Sequence, residues 1–378
     1  MREDTNRLSI YAALGLRPII NATATLTKLG GSRMPSEVME AMVEASHAFI
    51  DLHELQRRVG ERIAHLTHNE AAYVCSGAAA GLTLTTAACI TGKDLKAIEQ
   101  LPDLRGLKSE VIIHQTHRNG YDHAVRQVGV RVVEIGTKEG TTRQDLERAI
   151  TTKTAAIVWF QGAMTGSSDL PLEEVIEIGK ANGIPILVDA AAQLPPVSNL
   201  WRYTQMGATA AVFSGGKDLR GPQSSGLILG QRELIEACAL NGSPNHSIGR
   251  PMKVGKEEMV GVLVAVQRYL NLDQEKRAEV CERVVKEWNE VLNRLPGVVA
   301  KRDFPNEAGQ PLPRTHVTII SEEAGIQRDA ILAQLEAGDP CIIAAPQGAD
   351  SFYLNPMTLE EEEVAIVQQR LLEILCPR

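Results

Sequence analysis

Residues 213–226 read Phe213-Ser-Gly-Gly-Lys217-Asp-Leu-Arg220-Gly-Pro-Gln-Ser-Ser-Gly226. The apolar run ATAAVF leads into this stretch as a strand and SSGLILGQ leaves it as another, so a lysine stands in a glycine-dense turn between two strands. Glycines in such a turn let the backbone come close to a ligand. A lysine amine is ordinarily protonated and a poor nucleophile, but in a shielded loop its pKa falls far enough for it to form an imine with a carbonyl. Taken alone, Lys217 is also readable as a solvated loop residue.

Two segments upstream change that balance. ILVDAA ends in Asp189, 28 residues before the lysine, and the carboxyl end of a buried strand is where open α/β sheets place ligand-binding groups. A carboxylate emerging there needs a strong partner, because an unpaired buried charge is costly. A protonated pyridine nitrogen is one such partner, and the cap of a following helix is the alternative. Further upstream, Cys75-Ser76-Gly77-Ala78-Ala79-Ala80-Gly81 passes from strand to helix through small residues. Backbone N–H groups at a helix start, with a serine hydroxyl, suit a phosphate; small residues there also serve close packing.

Around these segments the chain alternates strand and helix patterns from about Ser36, the signature of a mostly parallel sheet flanked by helices. EAAYVCSG, SEVIIHQTH, RVVEIG, TAAIVWFQ, IPILVDAA, ATAAVFSG and SSGLILGQ supply strands for a six- or seven-stranded sheet. Beyond Lys256 long amphipathic helices take over, followed by strand candidates GVVAKRDF, RTHVTIIS and CIIAAP and helices QRDAILAQLEAG and TLEEEEVAIVQQRLLEIL. The expected organisation is an N-terminal segment (1–35), a large α/β domain (36–256), and linking helices with a small α+β C-terminal domain (257–378).

With 44% hydrophobic and 23% charged residues the composition is that of an ordinary globular protein. The 39 basic against 47 acidic residues leave a formal charge of -8, which gives no general attraction to nucleic acid or anionic membrane. No apolar stretch reaches the ~18 residues of a membrane span and the N-terminus has no signal-peptide core, so a cytoplasmic protein is expected. Six scattered cysteines form no C-x-x-C pair, and His65 and His68 lack a third ligand at suitable spacing; no metal is expected. YVCSGAAAG is not G-x-G-x-x-G and does not follow a leading strand, which argues against a dinucleotide site.

The order phosphate turn, acid, lysine resembles the fold-type I pyridoxal 5′-phosphate (PLP) enzymes, which have the aspartate-aminotransferase-like fold. Within them it is similar to the branch of bacterial selenocysteine synthase and the D-glucosaminate-6-phosphate ammonia-lyases. IINATATLTKLGGS, YVCSGAAAG, HQTHRNGYDHAVRQVG, ILVDAAAQLPP, FSGGKDLRGPQSSG and GRPMKVGKEEMVG carry the likeness, from about Arg17 to Leu270. It implies a mostly parallel seven-stranded sheet, PLP held by Lys217 as an imine, and Asp189 against the pyridine nitrogen. Ser76, Gly77, Ala78 and Ser214 fall where the family binds phosphate. His117 falls where a ring stacks on the cofactor face, and Gln193 where it reaches the ring oxygen or the substrate; each is also readable as an ordinary satisfied polar residue. Arg220, Arg250, Lys253 and Arg314 are candidates for a substrate carboxylate or phosphate, since arginine's fork suits both.

The resemblance further implies loss of a β-hydroxyl as water from a small hydroxylated amino acid, giving a 2-keto acid and ammonia. Aldol cleavage, racemisation and transamination use the same lysine and aspartate and stay open, and a non-catalytic binding protein is the remote alternative. Selenocysteine synthases carry a long N-terminal segment that helps grip tRNA, whereas INATAT begins here by Ile20, so a tRNA-borne substrate is not expected. A homodimer or higher homo-oligomer is expected, with residues 246–256 reaching a neighbouring site.

Overall fold

Thr154–Phe160 is apolar on both sides of its backbone, a pattern that suits a strand covered on both faces, and all of its residues are buried. It lies inside a seven-stranded sheet. The computed structural model describes residues 9–162, 165–166 and 168–376. They divide into a larger unit, 32–272 with 307–310, and a smaller one made of the segment up to residue 31, 273–306 and the chain from residue 311 onward.

The first strand, β1 (Ile19–Asn21), belongs to the smaller unit. The larger holds β2 (Ala71–Cys75), β3 (Glu110–His114), β4 (Arg131–Ile135), β5 (Thr154–Phe160), β6 (Ile186–Asp189), β7 (Ala210–Ser214) and β8 (Gly226–Gly230), in the order β2-β8-β7-β6-β5-β3-β4. Neighbours pair in parallel except β8, which is antiparallel to both β2 and β7. Because β8 reverses the direction twice, β2 and β7 run the same way. The carboxyl ends of β2 to β7 therefore share one edge, where an open α/β sheet holds its ligand.

Side chains alternate across this sheet with period two. Leu187, Val212 and Ile228 pack against the Ala78–Thr91 and Arg232–Asn241 helices. Trp159, Val188 and Phe213 face the opposite way, toward the Leu52–Leu66, Leu172–Ala181, Asn199–Met206 and Lys256–Leu270 helices. The Ala78–Thr91 helix is buried nearly all round, and its threonines discharge their hydroxyls onto carbonyls one turn back: Thr85 to Gly81, Thr86 to Leu82 and Thr91 to Ala87.

The smaller unit has β9 (Val298–Asp303), β10 (Arg314–Ile319), β11 (Cys341–Ile343), β12 (Ala345–Gln347) and β13 (Ser351–Leu354). An antiparallel sheet runs β12-β13-β10-β9, and β1 pairs in parallel with β11. Its core gathers Trp288 and Leu292 of the Gln274–Leu292 helix, Val317, Phe352, and Val367 and Leu371 of the Glu361–Leu375 helix.

Three details differ from the sequence reading. The boundary falls at 272 rather than 256, because the Lys256–Leu270 helix packs on the Ser36–Ser46 and Leu52–Leu66 helices and Arg268 Nε lies 2.8 Å from Glu37. The N-terminal segment is not separate, since β1 is a strand of the smaller unit. CIIAAP divides into two strands of different sheets, and β13 was not anticipated: four residues are too few for periodicity to register. Among the described residues no helix is long and apolar enough to cross a membrane, and no three His, Cys, Asp or Glu side chains are grouped to hold a metal.

Candidate active site

Strand alternation and register bring several of the expected residues to one place. Asp189 and Ser214 point to the same face as Leu187 and Val212, the face covered by the Ala78–Thr91 helix. Ser214 pairs with Gly226 and Gly226 with Cys75, so the Ser76-Gly77-Ala78 turn leaves β2 in the same row. Asp189, opposite Val212, stands three strands from β2, ~14 Å at usual strand spacing. Lys217 follows three residues after β7, half-buried in the loop to β8.

The turn is built for close approach. Gly77 has φ +94, and a Cβ placed on Gly226 would lie 2.6 Å from the Gly77 carbonyl carbon and 2.9 Å from Ala78 N. Only glycine at 226 lets β8 press against the turn. No side chain caps the start of the Ala78–Thr91 helix, which leaves its first-turn N–H groups for an anion.

The charges at this edge are poorly matched. Burial pushes the Asp189 carboxyl above its ordinary range, against the hydrogen bond it accepts from Ala191 N (2.9 Å) and the attraction of Lys217. Burial likewise pulls the Lys217 amine below its usual value, against the pull of Asp189. Each group feels the other, yet desolvation outweighs the attraction for both, as expected of two groups separated by a gap instead of joined as an ion pair. A cationic ring nitrogen beside Asp189 and a carbonyl carbon beside Lys217 would satisfy both. The residues present therefore fit PLP.

His117 lies three residues beyond the end of β3. Its ring is wholly buried, 4.5 Å from Trp159 edge-on and 4.7 Å from His114, on the sheet face opposite to Asp189. Trp159 and His114 are its ring neighbours, one edge-on and one tilted. Burial pushes both histidines down to about 4, so they are neutral near pH 7. His117 Nε2 is 3.5 Å from Asp169 Oδ2, close but not aligned as a hydrogen bond. Asp169 instead accepts from Thr116 Oγ1 (2.7 Å), Gly166 N (2.7 Å) and Thr141 Oγ1 (3.3 Å). Gln193 is buried and donates to Ala308 O (2.8 Å), beside a cavity of about 430 Å³ that Trp159, Gln161, Asp169 and Tyr203 also line.

The candidate anion-binding residues scatter. Arg220 takes a positive φ of 56 and donates from Nε to Arg33 O at 2.7 Å. Arg250 and Lys253 are exposed. Within the smaller unit, Arg314 is buried, bonds Asp303 Oδ2 through Nε at 2.6 Å and lies 3.5 Å over the Tyr353 ring, so its fork is already partly engaged. The sequence reading passed over Asp169, Trp159 and Gly226, and also Asp218, whose carboxylate Oδ2 accepts from Tyr269 at 2.5 Å. Asp218 had a signal in plain view, being the neighbour of Lys217.

The family model described as L-seryl-tRNA selenium transferase (SelA) matches residues 19–295. The chain belongs to this family. Among curated relatives, the SelA-family chain is 33% identical to D-glucosaminate-6-phosphate ammonia lyase of Salmonella typhimurium (strain 14028s / SGSC 2262), over 97% of its own length and 98% of the relative. It is 32% identical to a 5'-C-glycyluridine monooxygenase-decarboxylase of Streptomyces sp, over 97% and 92%. It is 23% identical to an L-seryl-tRNA(Sec) selenium transferase of Geotalea daltonii, over 99% and 87%. The solved structure of D-Glucosaminate-6-phosphate Ammonia-lyase superposes with a TM-score of 0.86 at 32% identity, covering 97% of this chain and 98% of that one. Ureidoglycine-glyoxylate aminotransferase from Bacillus subtilis matches at a TM-score of 0.60 and 16% identity, over 91% and 90%, a likeness of fold. The chain is thus an enzyme of the fold-type I architecture.

Proposed function

We propose that this SelA-family chain is a PLP-dependent ammonia-lyase acting on a small amino acid with a hydroxyl at the β-carbon. The net change is conversion of a 2-amino-3-hydroxy acid to a 2-keto-3-deoxy acid and ammonium; the water lost from the β-carbon is returned when the nitrogen is released. The observation that carries the reading is that Asp189 shares one face of the sheet edge with Ser214, Gly226 and the Ser76–Ala78 turn, with Lys217 in the adjoining loop. The full-length similarity to an ammonia lyase supports the reaction class.

PLP, when bound, withdraws electrons from the bonds at the substrate α-carbon. Lys217 would hold it covalently through Nζ and, once exchanged for the substrate amine, would take the α-proton; burial favours the neutral amine that this needs. Asp189 would keep a proton on the ring nitrogen. Ser76, Ser214 and the N–H groups of Gly77 and Ala78 would bind the phosphate. Gln193, through its carbonyl oxygen, and Arg220, Arg250 or Arg314 are the candidates for orienting the substrate's polar groups. His117 would act from behind, by fixing the loop that follows β3.

We also read the working enzyme as at least a homodimer. Met39, Val43, Phe49 and Ile50 are exposed on the larger unit, an apolar patch of the kind that oligomers cover. The six cysteines are unpaired, which suits the reducing cytoplasm. The test is incubation of the PLP-loaded protein with D- and L-β-hydroxy amino acids, including aminosugar acids. Equimolar ammonia and 2-keto acid are expected; glycine plus aldehyde, inversion without release, or oxygen-dependent loss of carbon dioxide would each overturn the lyase assignment.

A further inference from the structure

Residues 9–16 form one helical turn with both ends closed. Ser9 Oγ accepts from Ala12 N at 3.2 Å as the N-cap of the Ile10–Ala13 helix. At the other end Gly15 takes φ +72, Leu16 N bonds Tyr11 O at 2.8 Å and Gly15 N bonds Ala12 O at 3.0 Å, the paired bonds of a Schellman cap. A single turn has little stability of its own in water and draws it from packing. Every residue from Ser9 to Ile19 is nonetheless exposed, Ile10 at 71% and Leu14 at 67%, with Tyr11 and Leu16 also more than half open.

This arm is anchored at its base. Arg17 donates from Nη1 to Gly338 O at 3.0 Å, just past the end of the Arg328–Ala337 helix, and β1 then pairs with β11. With the base fixed and the turn capped, little freedom remains to be lost on docking. The larger unit carries a second open apolar surface. Met39 and Val43 are one turn apart on the Ser36–Ser46 helix, and Phe49, which is fully exposed, and Ile50 follow in the connection to the Leu52–Leu66 helix. Between Ser36 and Leu52 there are acidic residues but no lysine or arginine, which argues against an anionic membrane as the cover.

Each surface offers four large side chains. At roughly 100 Å² apiece they come to on the order of 800 Å² per protomer, the area that a stable protein pair buries on each side. Either surface alone supplies about half of that. A two-fold axis satisfies both together, because a contact from the arm of one copy to the helix face of the other is then made twice.

We propose that the chain dimerises by exchanging arms, the Ile10–Ala13 turn of one copy seating on the 39–50 surface of a second copy. This rests on the homodimer read above, and names the segments that make it.

The test maps the arm in the full-length protein. A benzophenone amino acid placed at position 11 is irradiated at micromolar concentration; a product of doubled mass is expected, in which the arm peptide is joined to the tryptic peptide 34–57. Leu14→Asp and Val43→Asp, read by sedimentation velocity, should each raise the dimer dissociation constant about 100-fold or more, since each change is felt at two contacts. Both side chains are exposed in the single chain, so its circular dichroism should be unaltered. Cross-links confined to one chain, cross-links from arm to arm, or an unchanged dissociation constant in Leu14→Asp would each overturn the proposal. So would binding to anionic phospholipid vesicles that Leu14→Asp abolishes. A wild type that sediments as a monomer at micromolar concentration would defeat the homodimer itself, whereas a dimer whose arm is cross-linked elsewhere defeats only the exchange. Ammonia release from β-hydroxy amino acids, measured separately, tests the lyase reading alone.

Discussion

Two polar groups lie back to back at the carboxyl edge of the large sheet, and they differ in how their charges are settled. On the face of the Ala78–Thr91 helix, Asp189 and the nearby Lys217 are each driven toward their neutral forms, and the helix start has no side-chain cap. On the opposite face, His114, His117, Trp159 and Asp169 enclose one another; the histidines are neutral and Asp169 is surrounded by hydroxyl and N–H donors. Burial of polar groups is common to both. What marks the first as the candidate ligand site is unbalanced charge at a glycine-lined gap; on the second, Asp169 is met by three donors while the ring nitrogens of the two histidines have no hydrogen-bond partner among the described residues.

The largest effect should come from the unbalanced face. Lys217→Ala should lower the rate of ammonia release by about 10³-fold or more, with loss of the reducible cofactor adduct; an enzyme that kept its rate would erase the distinction between the faces. The supporting face should reveal itself through pH. Between pH 6.5 and about 4 the unfolded chain protonates His114 and His117 while the folded chain does not, so their contribution to stability is complete above pH 6.5 and declines as the pH falls, being lost below about 4. The loss is on the order of 3 kcal/mol for each histidine. Urea unfolding at pH 7, 5.5 and 4.5 measures it, and replacement of both by glutamine should flatten the decline.

A pair of isosteric changes sharpens the contrast further. Asp169→Asn removes a carboxylate that three donors rely on and should cost about 2 kcal/mol in the cofactor-free protein. Asp189→Asn removes a carboxylate that burial disfavours, so the cofactor-free protein should melt no lower, and at neutral pH somewhat higher, while turnover falls about 10²-fold. Thermal melts that moved in the same direction for both would show that the faces are not opposed in this way. The smallest effect is steric: Gly226→Ala should cost about 1–3 kcal/mol and weaken cofactor retention, since the added methyl meets the Gly77 backbone. Dialysis against buffer, followed by cofactor quantitation, reads it.

Six of the seven strands of the large sheet were legible as short, mostly apolar runs buried on both faces, and the edge strand Arg131–Ile135, largely exposed or half-buried, was legible from its β-branched residues. The lysine loop was legible too, its glycines being visible without neighbours. The smaller unit was harder. β13 is four residues long, and β1 is a strand only because Cys341–Ile343, more than 300 residues away in the chain, lies alongside it. The helix after residue 256 resembles the one that follows it in pattern, and nothing local says that the first belongs to the larger unit and the second to the smaller.

From the order of residues alone came the class of sheet, the lysine, the acid at a strand end and the small-residue turn, because each depends on local pattern or on the chemistry of one side chain. Which of them meet was decided in three dimensions. Asp189 ends its strand, whereas His117 follows β3 by three residues and packs against the Trp159 and His114 rings. Asp218 touches Lys217 in sequence, but a tyrosine fifty-one residues away takes its carboxylate. Direction across a sheet and partnership over long separations are properties of packing, and no local pattern encodes them.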